Sequence, residues 1–324
     1  MRKILVTGGA GYIGSHACKE LSRAGYLPVS FDNLSNGHKK AVKWGPLIIG
    51  NINNSNQLNK VFTKYKPLAV MHFAGCISVG ESEIRPSKYY KNNVKGTLSL
   101  LNVMKKFSVK YMVYSSSGAV YGKTKKNPIK ETAIKKPTNP YGWSKLISEK
   151  MILRFSDICG IKFAILRYFN ASGADKLLDI GECHKPETHL IPLVLKAALK
   201  KNNSIKIFGN NYKTKDGTCI RDYIHVSDLA KAHVLSLNKI IKDKKSFHLN
   251  LGTGKGYSVK EIIDLAKKIT NKEIKVNIFP RRKGDIPEMI ADSKKAKRIL
   301  NWKIKNSDIK TILETAWNWH KKQI

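Results

Sequence analysis

A glycine-rich turn near the start of the chain leaves few folds open to it. Ile4 to Thr7 is a β-branched apolar run, and Ser15 to Ala24 has the composition of a helix, with Gly8, Gly11 and Gly14 between them. Such glycines permit a tight turn, close approach of the backbone to a diphosphate and tight helix–strand packing. The helix N-terminus would present free N–H groups to that diphosphate. The sequence therefore predicts a dinucleotide-binding βαβ unit.

An acidic residue follows the second predicted strand at the distance that dinucleotide-binding folds use. Leu27 to Phe31 is largely apolar and is followed by Asp32, eighteen residues after Gly14. A carboxylate there accepts hydrogen bonds from a ribose 2′-hydroxyl and repels a 2′-phosphate. This favours NAD over NADP, although Lys39 and Lys40 weaken the exclusion. The alternative is a glycine-rich turn without a ligand, but the strand, the helix and the acid together favour a bound nucleotide.

Apolar runs alternate with helical patterns through the first half of the chain, which predicts a parallel sheet covered on both faces. Later strands of this half are expected at residues 68–73, 110–115 and 163–168, and helices at 89–105 and 144–155. After Asn170 the sequence changes to polar loops with shorter strands and helices. We expect an α/β fold, with a Rossmann-type doubly wound parallel sheet in residues 1–175. A smaller α/β C-terminal substrate lobe would follow in residues 176–324, with some segments returning to the first domain.

Three residues form a candidate proton-transfer device. Tyr141 and Lys145 are four residues apart, so on a helix they share one face. Ser117 follows the apolar run from Tyr111 to Tyr114, and the carboxyl end of a parallel strand points into the ligand crevice. A phenol can accept and return a proton, an ammonium can lower the phenol's pKa, and a serine can orient a substrate hydroxyl. We predict that these three side chains carry the chemistry.

Composition bounds the other classes of function. The chain has 324 residues and a formal net charge of +37, but its lysines are spread along the whole sequence. We interpret the abundance of lysine as a result of codon drift in an A/T-rich genome. The alternative is polyanion binding, yet no nucleic-acid motif is present, so no specific nucleic acid is expected. No apolar run approaches the roughly 20 residues that span a bilayer, so we expect no membrane partner.

The cysteines indicate a reducing compartment. The five cysteines have no paired spacing, and Met1 leads almost directly into the first strand, so a cytoplasmic protein without a signal peptide is expected. Cys183, His184 and His189 are close in sequence but lack the spacing of metal ligands. We therefore expect no metal site.

A longer set of motifs carries a specific resemblance. In chain order they are Thr7 to His16, Asp32 to Leu34, His72 to Gly75, Asn92 to Thr97, Ser115 to Gly122, Tyr141 to Lys145, Arg167 to Asn170, Glu187 to Pro192, Arg221 to Val226 and Pro280 to Asp285. With these motifs the chain resembles the UDP-glucose 4-epimerases of the extended short-chain dehydrogenase/reductase family, from Met1 to about Trp319. The resemblance implies epimerisation at C4 of a UDP-hexose in galactose metabolism, through a transient 4-keto sugar.

The resemblance also implies a tightly bound NAD that is not consumed, and it assigns residues to the ligands. The NAD site would comprise Gly8, Gly11, Tyr12, Ile13, Gly14, Asp32, Asn33, Asn51, Ile52, Phe73, Ala74, Gly75, Asn92, Ser117, Tyr141, Lys145 and Phe169. The UDP-sugar would contact Ser117, Tyr141, Asn170, Leu190, Phe208, Arg221, Arg282, Asp285 and Met289, with the two arginines facing its diphosphate. A homodimer through the Tyr89 and Ser144 helices is implied too.

Three departures from the family pattern affect the expected ligands. Asn51 replaces an aspartate that would hold adenine, although an amide can still bond to the base. Ile77 replaces a lysine that some members place near the diphosphate. Met289 lies where a smaller residue would admit N-acetyl sugars, so acceptance of such substrates stays open.

Two other enzymes and one non-enzyme compete with the epimerase interpretation. A nucleotide-sugar 4,6-dehydratase needs an acid–base pair after the serine, and Gly118 and Ala119 occupy those positions. A UDP-N-acetyl-sugar epimerase is the other enzyme alternative, and the bulky but flexible Met289 disfavours it without excluding it. A non-catalytic NAD-binding regulatory protein is the alternative from another class, and the presence of Tyr141, Lys145 and Ser117 disfavours it.

Overall fold

The computed structural model describes residues 1–124, 126–200, 204–282 and 284–323. It contains thirteen strands in this part of the chain. They are β1 Lys3–Thr7, β2 Leu27–Asp32, β3 Leu47–Ile49, β4 Ala69–His72, β5 Tyr111–Ser117, β6 Lys162–Tyr168, β7 Asn170–Ser172, β8 Ser204–Phe208, β9 Ile220–His225, β10 Phe247–Leu251, β11 Gly256–Ser258, β12 Lys275–Phe279 and β13 Glu288–Met289.

Eleven α-helices lie in the same described ranges. They are α1 Tyr12–Arg23, α2 Ser55–Tyr65, α3 Val79–Ile84, α4 Pro86–Tyr89, α5 Gly96–Lys106, α6 Pro140–Cys159, α7 Leu190–Leu199, α8 Val226–Asp243, α9 Val259–Thr270, α10 Lys294–Leu300 and α11 Ile309–Lys322. None of these helices has the length and apolar character needed to cross a membrane.

The large sheet has seven parallel strands in the order β3-β2-β1-β4-β5-β6-β10. The chain runs outward from β1 through β2 to β3 and then returns to place β4 on the other side of β1. The order of strands therefore reverses between β1 and β4, and ligands of open α/β sheets bind at the carboxyl ends of the strands at such a point. The predicted doubly wound sheet is confirmed.

Both faces of the sheet are buried, as the apolar strands predict. Ile4 and Val6 of β1 pack on one face with residues of α1 and α8, including Leu21. Leu5 points to the opposite face and packs with residues of α2, α5 and α6, including Leu58. Alternate residues of one strand therefore serve two separate cores, which requires a nearly continuous apolar run.

A second, smaller assembly carries its own core. Helices α7, α9 and α11 enclose buried residues such as Leu195, Ile262 and Leu313. Two small sheets accompany them, one formed by β8 and β12 and one by β7, β9, β11 and β13. Three elements beyond residue 175 belong with the large sheet instead, since β10 pairs with β6, α8 packs on α1 and α10 packs on β10. The proposed domain boundary at residue 175 stays a prediction. The last residue of the predicted C-terminal lobe, Ile324, lies outside the described residues.

Some element boundaries differ from the sequence-based expectation. Strand β5 continues to Ser117 instead of ending at Ser115, and α6 begins at Pro140 instead of Ser144. The helix starts early because the Asn139 side chain accepts a hydrogen bond from the Gly142 N–H, and proline suits the first helical turn. The helix expected at 89–105 contains a π-helical stretch from Tyr90 to Lys95, a feature that is common at functional sites.

Candidate active site

A cleft of about 1580 Å³ lies at the switch point of the large sheet. Its walls include the glycine turn, the carboxyl ends of β4, β5 and β6, and the loops of the smaller assembly. All of the predicted site residues line it except Lys145, which is buried behind the wall. The structure therefore brings together residues from position 8 to position 289 of the chain.

The glycine turn is a cradle that a side chain would fill. Gly8 has φ +76°, and a Cβ there would lie 2.7 Å from the backbone nitrogen of Ala74. A Cβ on Gly14 would lie 2.1 Å from the carbonyl oxygen of Gly8. Only glycine allows the turn to come this close to β4 and to α1. The bare backbone and the start of α1 suit the diphosphate of a dinucleotide.

Asp32 is held in place by the turn that it accompanies. One carboxylate oxygen accepts a hydrogen bond from the Ala10 N–H at 3.0 Å, and the other accepts one from the Leu34 N–H at 2.8 Å. Burial raises the pKa of Asp32, while these backbone bonds lower it. Each carboxylate oxygen has a further lone pair. The residue can therefore accept a bond from a ribose hydroxyl, as the sequence predicts.

Tyr141 and Ser117 meet in the cleft. Ser117 ends β5, and its hydroxyl accepts a hydrogen bond from the Ala119 N–H at 3.1 Å. Burial raises the pKa of the Tyr141 phenol, and a hydrogen bond with Ser117 lowers it in part. The ring of Tyr89 packs edge-on against Tyr141, with centroids 6.4 Å apart. The phenol is therefore oriented but is a weak acid in the protein alone.

Lys145 supports the site from behind. Its ammonium donates a hydrogen bond to the carbonyl oxygen of Ser115 at 2.8 Å and lies 5.2 Å from the ring centre of Tyr114. Burial lowers the pKa of Lys145 to about 8, although Cys76 and Glu149 raise it in part. Its charge is therefore easily lost above neutral pH. The expected i, i+4 pairing of Tyr141 and Lys145 on α6 is present, but only the tyrosine faces the cleft.

Sequence reasoning missed the role of Asn93. This buried side chain accepts a hydrogen bond from the Cys76 N–H at 2.7 Å and donates one to the Ser144 hydroxyl at 2.9 Å. The Ser144 hydroxyl in turn donates to the carbonyl oxygen of Tyr141 at 2.7 Å. Asn93 thus joins the loop after β4 to the first turn of α6. Its place beside Asn92 was the available signal, because two adjacent amides inside a helical pattern are unfavourable without partners.

The smaller assembly contributes the opposite wall. Arg221 lies on β9 and donates a hydrogen bond to the carbonyl oxygen of Ile220 at 2.9 Å. The buried carboxylate of Asp222 follows it and accepts hydrogen bonds from the backbone of residues 253, 254 and 291. The Asn170 amide donates to the Asp222 carbonyl at 3.0 Å. Asp222 therefore anchors the strand that carries Arg221, a role that its charge alone did not indicate.

The remaining predicted substrate residues form two side-chain contacts. The guanidinium of Arg282 lies 3.8 Å from the ring centre of Phe208. Met289 packs against the buried cluster that contains Val120 and Tyr121. A planar cation and an aromatic ring are groups that bind phosphate and a base, respectively. Arg282 and Phe208 line the cleft together with Leu190 and Asp285.

Residues 173–189 connect the two walls, and we refer to them as the bridging segment. The Tyr12 hydroxyl donates to the carbonyl oxygen of Gly173 at 2.6 Å. The buried ammonium of Lys19 pairs with Asp175 at 2.7 Å and with Asp179 at 2.8 Å. Tyr12 thus contacts this segment through its hydroxyl, while its position at the start of α1 leaves its backbone beside the glycine turn.

A family model described as "NAD dependent epimerase/dehydratase family" matches residues 4–252. The chain is also 46% identical over 319 residues to a UDP-glucose 4-epimerase of Rhizobium leguminosarum bv. trifolii, an alignment that covers 98% of this chain and 97% of the relative.

Solved structures agree with these sequence matches. A UDP-glucose 4-epimerase from Brucella ovis in complex with NAD superposes with a TM-score of 0.95 at 45% identity, covering 98% of both chains. A UDP-glucose 4-epimerase from Bifidobacterium longum in complex with NAD+ and UDP superposes with a TM-score of 0.93 at 39% identity, covering 99% of this chain and 98% of the other.

Proposed function

The chain belongs to the NAD dependent epimerase/dehydratase family, and from this premise we propose that it is a UDP-glucose 4-epimerase. It inverts C4 of a UDP-hexose, interconverting UDP-galactose and UDP-glucose. The observation that carries the proposal is that Tyr141 and Ser117 share one cleft with the glycine turn, while Lys145 lies behind them. The proton-transfer pair and a bound dinucleotide would then both reach C4 of the hexose and its oxygen.

The cradle at Gly8 and Gly14 and the orientation of Asp32 fit NAD. When bound, NAD supplies the reversible acceptor of a hydride. Phe73, Ala74 and Gly75 at the end of β4 and Phe169 after β6 are the remaining cleft residues assigned to it. Because epimerisation involves no net oxidation, the cofactor need not leave between turnovers, which favours tight binding.

The protein's own residues move the proton. Tyr141 as phenolate accepts the proton from the 4-hydroxyl of the sugar as the 4-keto sugar forms, and it returns the proton when C4 is reduced from the other face. Ser117 orients the 4-oxygen by hydrogen bonding. Ser117 and Tyr141 both line the cleft, and the Ser117 side chain partly offsets the rise in the Tyr141 pKa that burial causes.

The acidity of Tyr141 limits this mechanism. Bringing a free tyrosine from pKa about 10 to near 7 needs roughly 4 kcal/mol. One cation at about 6 Å from the phenol oxygen, in an effective dielectric near 20, stabilises the phenolate by about 2.8 kcal/mol. Burial acts in the opposite direction and raises the Tyr141 pKa. We therefore expect Tyr141 to be more acidic with oxidised than with reduced NAD bound, because only the oxidised ring is positive. Equal pKa values in an ultraviolet titration of the two forms would contradict this account.

The second wall supplies groups for the rest of the substrate. Arg221 and Arg282 face the diphosphate in this proposal, and Phe208 contacts the base. Asn170, Leu190 and Asp285 complete the wall, and Met289 borders the sugar. A guanidinium fork suits phosphate oxygens, and an aromatic ring suits a flat base. The substrate would thus lie across the cleft with its hexose toward Ser117.

The decisive experiment follows UDP-galactose by NMR with purified protein and no added cofactor. We expect UDP-glucose to appear without loss of water, and Tyr141→Phe to lose at least about 10³-fold in rate. Tyr65→Phe is the matched control because Tyr65 lies on α2, is only partly buried and does not line the cleft. Loss of water would indicate the dehydratase alternative. No turnover by protein that contains NAD would contradict the proposal.

We further propose a homodimer formed through α5 and α6. On α6, Trp143 is exposed and Ile147 is half-buried one turn further along. Tyr90, Val94 and Leu98 form a second partly exposed apolar row that leads into α5. Apolar rows of this kind on two adjacent helices are typical of interfaces. Light scattering should give twice the chain mass, and the double variant Leu98→Glu with Trp143→Glu should give one chain mass; an unchanged mass would contradict this interface.

A cytoplasmic location is proposed as well. All five cysteines lie within the described residues, and none forms a disulfide. Unpaired thiols are usual in a reducing compartment. Fractionation of cells that express the protein would test the location.

A further inference from the structure

Four side chains of the bridging segment converge beside the cleft. They are Glu182, His184, Glu187 and His189, which we refer to as the His–Glu cluster. One carboxylate oxygen of Glu182 lies 3.0 Å from Nδ1 of His184 and 2.8 Å from Nδ1 of His189. An oxygen of Glu187 lies 2.9 Å from Nδ1 of His189. We propose that this cluster binds one divalent metal ion of the zinc type.

The donor set fits such an ion. Two imidazole nitrogens and two carboxylate oxygens can each give one ligand atom, and these four atoms lie within 4.8 Å of one another. Zinc takes four such ligands at roughly 2.0–2.2 Å, which separates neighbouring ligand atoms by roughly 3.3–3.5 Å in a tetrahedron. The closest pairs in the cluster, at 2.8–3.0 Å, therefore need to open by roughly 0.3–0.7 Å. Rotation about side-chain bonds suffices for that.

A second observation also indicates a cation. Oxygen Oε2 of Glu187 is buried without a hydrogen-bond partner among the described residues, and the side chain is only 4% exposed. Nδ1 of His184 lies 4.0 Å from this oxygen, beyond hydrogen-bond distance. A buried carboxylate oxygen without a partner is unfavourable. A metal ion between Glu187 and His184 would satisfy it.

The surroundings hold the cluster in place. The carbonyl oxygen of Glu182 accepts a hydrogen bond from the indole N–H of Trp319 on α11 at 3.0 Å. The ring of His184 packs edge-on against Tyr12, with centroids 6.2 Å apart. His189 immediately precedes α7. The four ligands are thus mounted on a supported segment, and all of them line the cleft, through which an ion can enter.

From the sequence alone we expected no metal site here, because Cys183 and His184 lack the spacing of metal ligands. The structure uses the two glutamates instead, in the pattern Glu-x-His-x-x-Glu-x-His from residue 182 to residue 189. Four protein ligands close a zinc site, which makes its role structural and not catalytic. The ion would fasten the bridging segment between Tyr12 and α7, whether or not the epimerase proposal holds.

Metal binding by protein without a histidine tag tests the proposal directly. After treatment with a chelator and dialysis, wild-type protein should take up about one equivalent of Zn²⁺ in calorimetry. Co²⁺ should give the visible absorption bands of a tetrahedral site. Glu187→Gln and His184→Gln should each weaken binding by at least about 100-fold, since even outer partners of metal ligands are worth 10–100-fold.

Cys183→Ser is the matched control, because Cys183 lies between two ligands but contributes none. It should bind Zn²⁺ as the wild type does. Equal binding by Glu187→Gln and wild type, equal losses in Cys183→Ser and His184→Gln, or a wild type without cobalt bands would overturn the proposal. The four side chains would then form only a hydrogen-bonded cluster. If His184→Gln does not fold, as judged by circular dichroism, Glu187→Gln and the cobalt spectrum of the wild type still decide.

Discussion

The two walls of the cleft are held in place by different kinds of contact. On the cofactor side, Gly8, Asp32 and Ser117 are fixed by backbone hydrogen bonds at the ends of parallel strands. On the substrate side, Arg282 lies outside any strand or helix, and its guanidinium is placed by its side-chain contact with the ring of Phe208. One wall is therefore rigid before ligands arrive, whereas the other depends on contacts that a ligand can replace.

This contrast predicts two kinds of defect. Changes on the cofactor wall should lower cofactor retention or the rate of turnover, because rigid groups act on the reacting bond. Changes on the substrate wall should raise KM with kcat preserved, because they remove uniform binding.

Gly8→Ala should have the largest effect and would break the cofactor wall. The new Cβ meets the backbone of residues 73 and 74 at 2.7–2.9 Å, and φ is +76°. Purified protein should lack NAD, as judged by its absorbance after denaturation, and should have no measurable activity. Gly25→Ala is the matched control, with φ +79° and open space around the Cβ, and should cost only about 1–2 kcal/mol of stability. Similar NAD content in the two variants would contradict the close-approach argument.

Ser117→Ala should give the next largest effect, a loss in kcat of about 10²-fold or more. NAD content and KM should stay near normal, since Ser117 is only one of the many residues assigned to NAD and its main role is to orient the sugar oxygen and Tyr141. Ser115→Ala serves as control, because that hydroxyl bonds to Tyr168 and not to the substrate side of the cleft. A near-normal rate for Ser117→Ala would show that the assignment of this serine is wrong.

Arg282→Gln sharpens the contrast from the other wall. It should raise KM for UDP-galactose by roughly 10-fold, as expected for one charge-assisted bond to a diphosphate, with kcat unchanged. Arg281→Gln is the matched control. Arg281 stacks on Tyr212 at 4.3 Å and does not line the cleft, so its loss should leave KM unaltered. A fall in kcat for Arg282→Gln would erase the distinction between the walls.

The smallest effect concerns pH. The pKa of Lys145 is lowered to about 8 by burial, so the folded protein releases this proton before the unfolded chain does. Between pH 8 and about 10.5 the unfolded state binds more protons, and this group therefore adds stability as pH rises. With oxidised NAD bound and Tyr141 already ionised, the rate should fall from about pH 7 upward because the ammonium is lost, by roughly fourfold between pH 7 and 8.5 for one group.

A pH profile of kcat/KM together with melting temperature measures both trends. Lys145→Arg keeps its charge and should be slower but flat over this range. A wild-type profile that stays flat to pH 9.5 would rule out a role for the Lys145 charge.

The sequence predicted the cofactor wall better than the substrate wall for a physical reason. Glycine spacing, apolar strands and the Tyr141–Lys145 pair are local sequence patterns. The parallel sheet brings these residues together, so their positions could be predicted without knowing any long-range side-chain contact. The start of α6 was missed by four residues because the Asn139 cap was overlooked. Strand β9 was not predicted, although Arg221 was chosen, because its small sheet forms only through distant partners.

Burial of polar groups was the least predictable feature. Nothing in the order of residues shows that Asn93 will join Cys76 to Ser144, or that Lys19 will pair with Asp175. These contacts connect positions far apart in the chain. Likewise, Glu182 and Glu187 look like ordinary surface charges until the fold buries them beside two histidines.

The return of the chain to the large sheet has a consequence for synthesis. Strand β10 is made only after α7, β8, β9 and α8, yet it covers the outer edge of β6. A nascent or truncated chain that stops before residue 247 would expose that edge, and bare edges recruit other strands. Neither lobe could then be produced alone or moved to another protein as a unit, and a late nonsense mutation should yield aggregates in place of a working half.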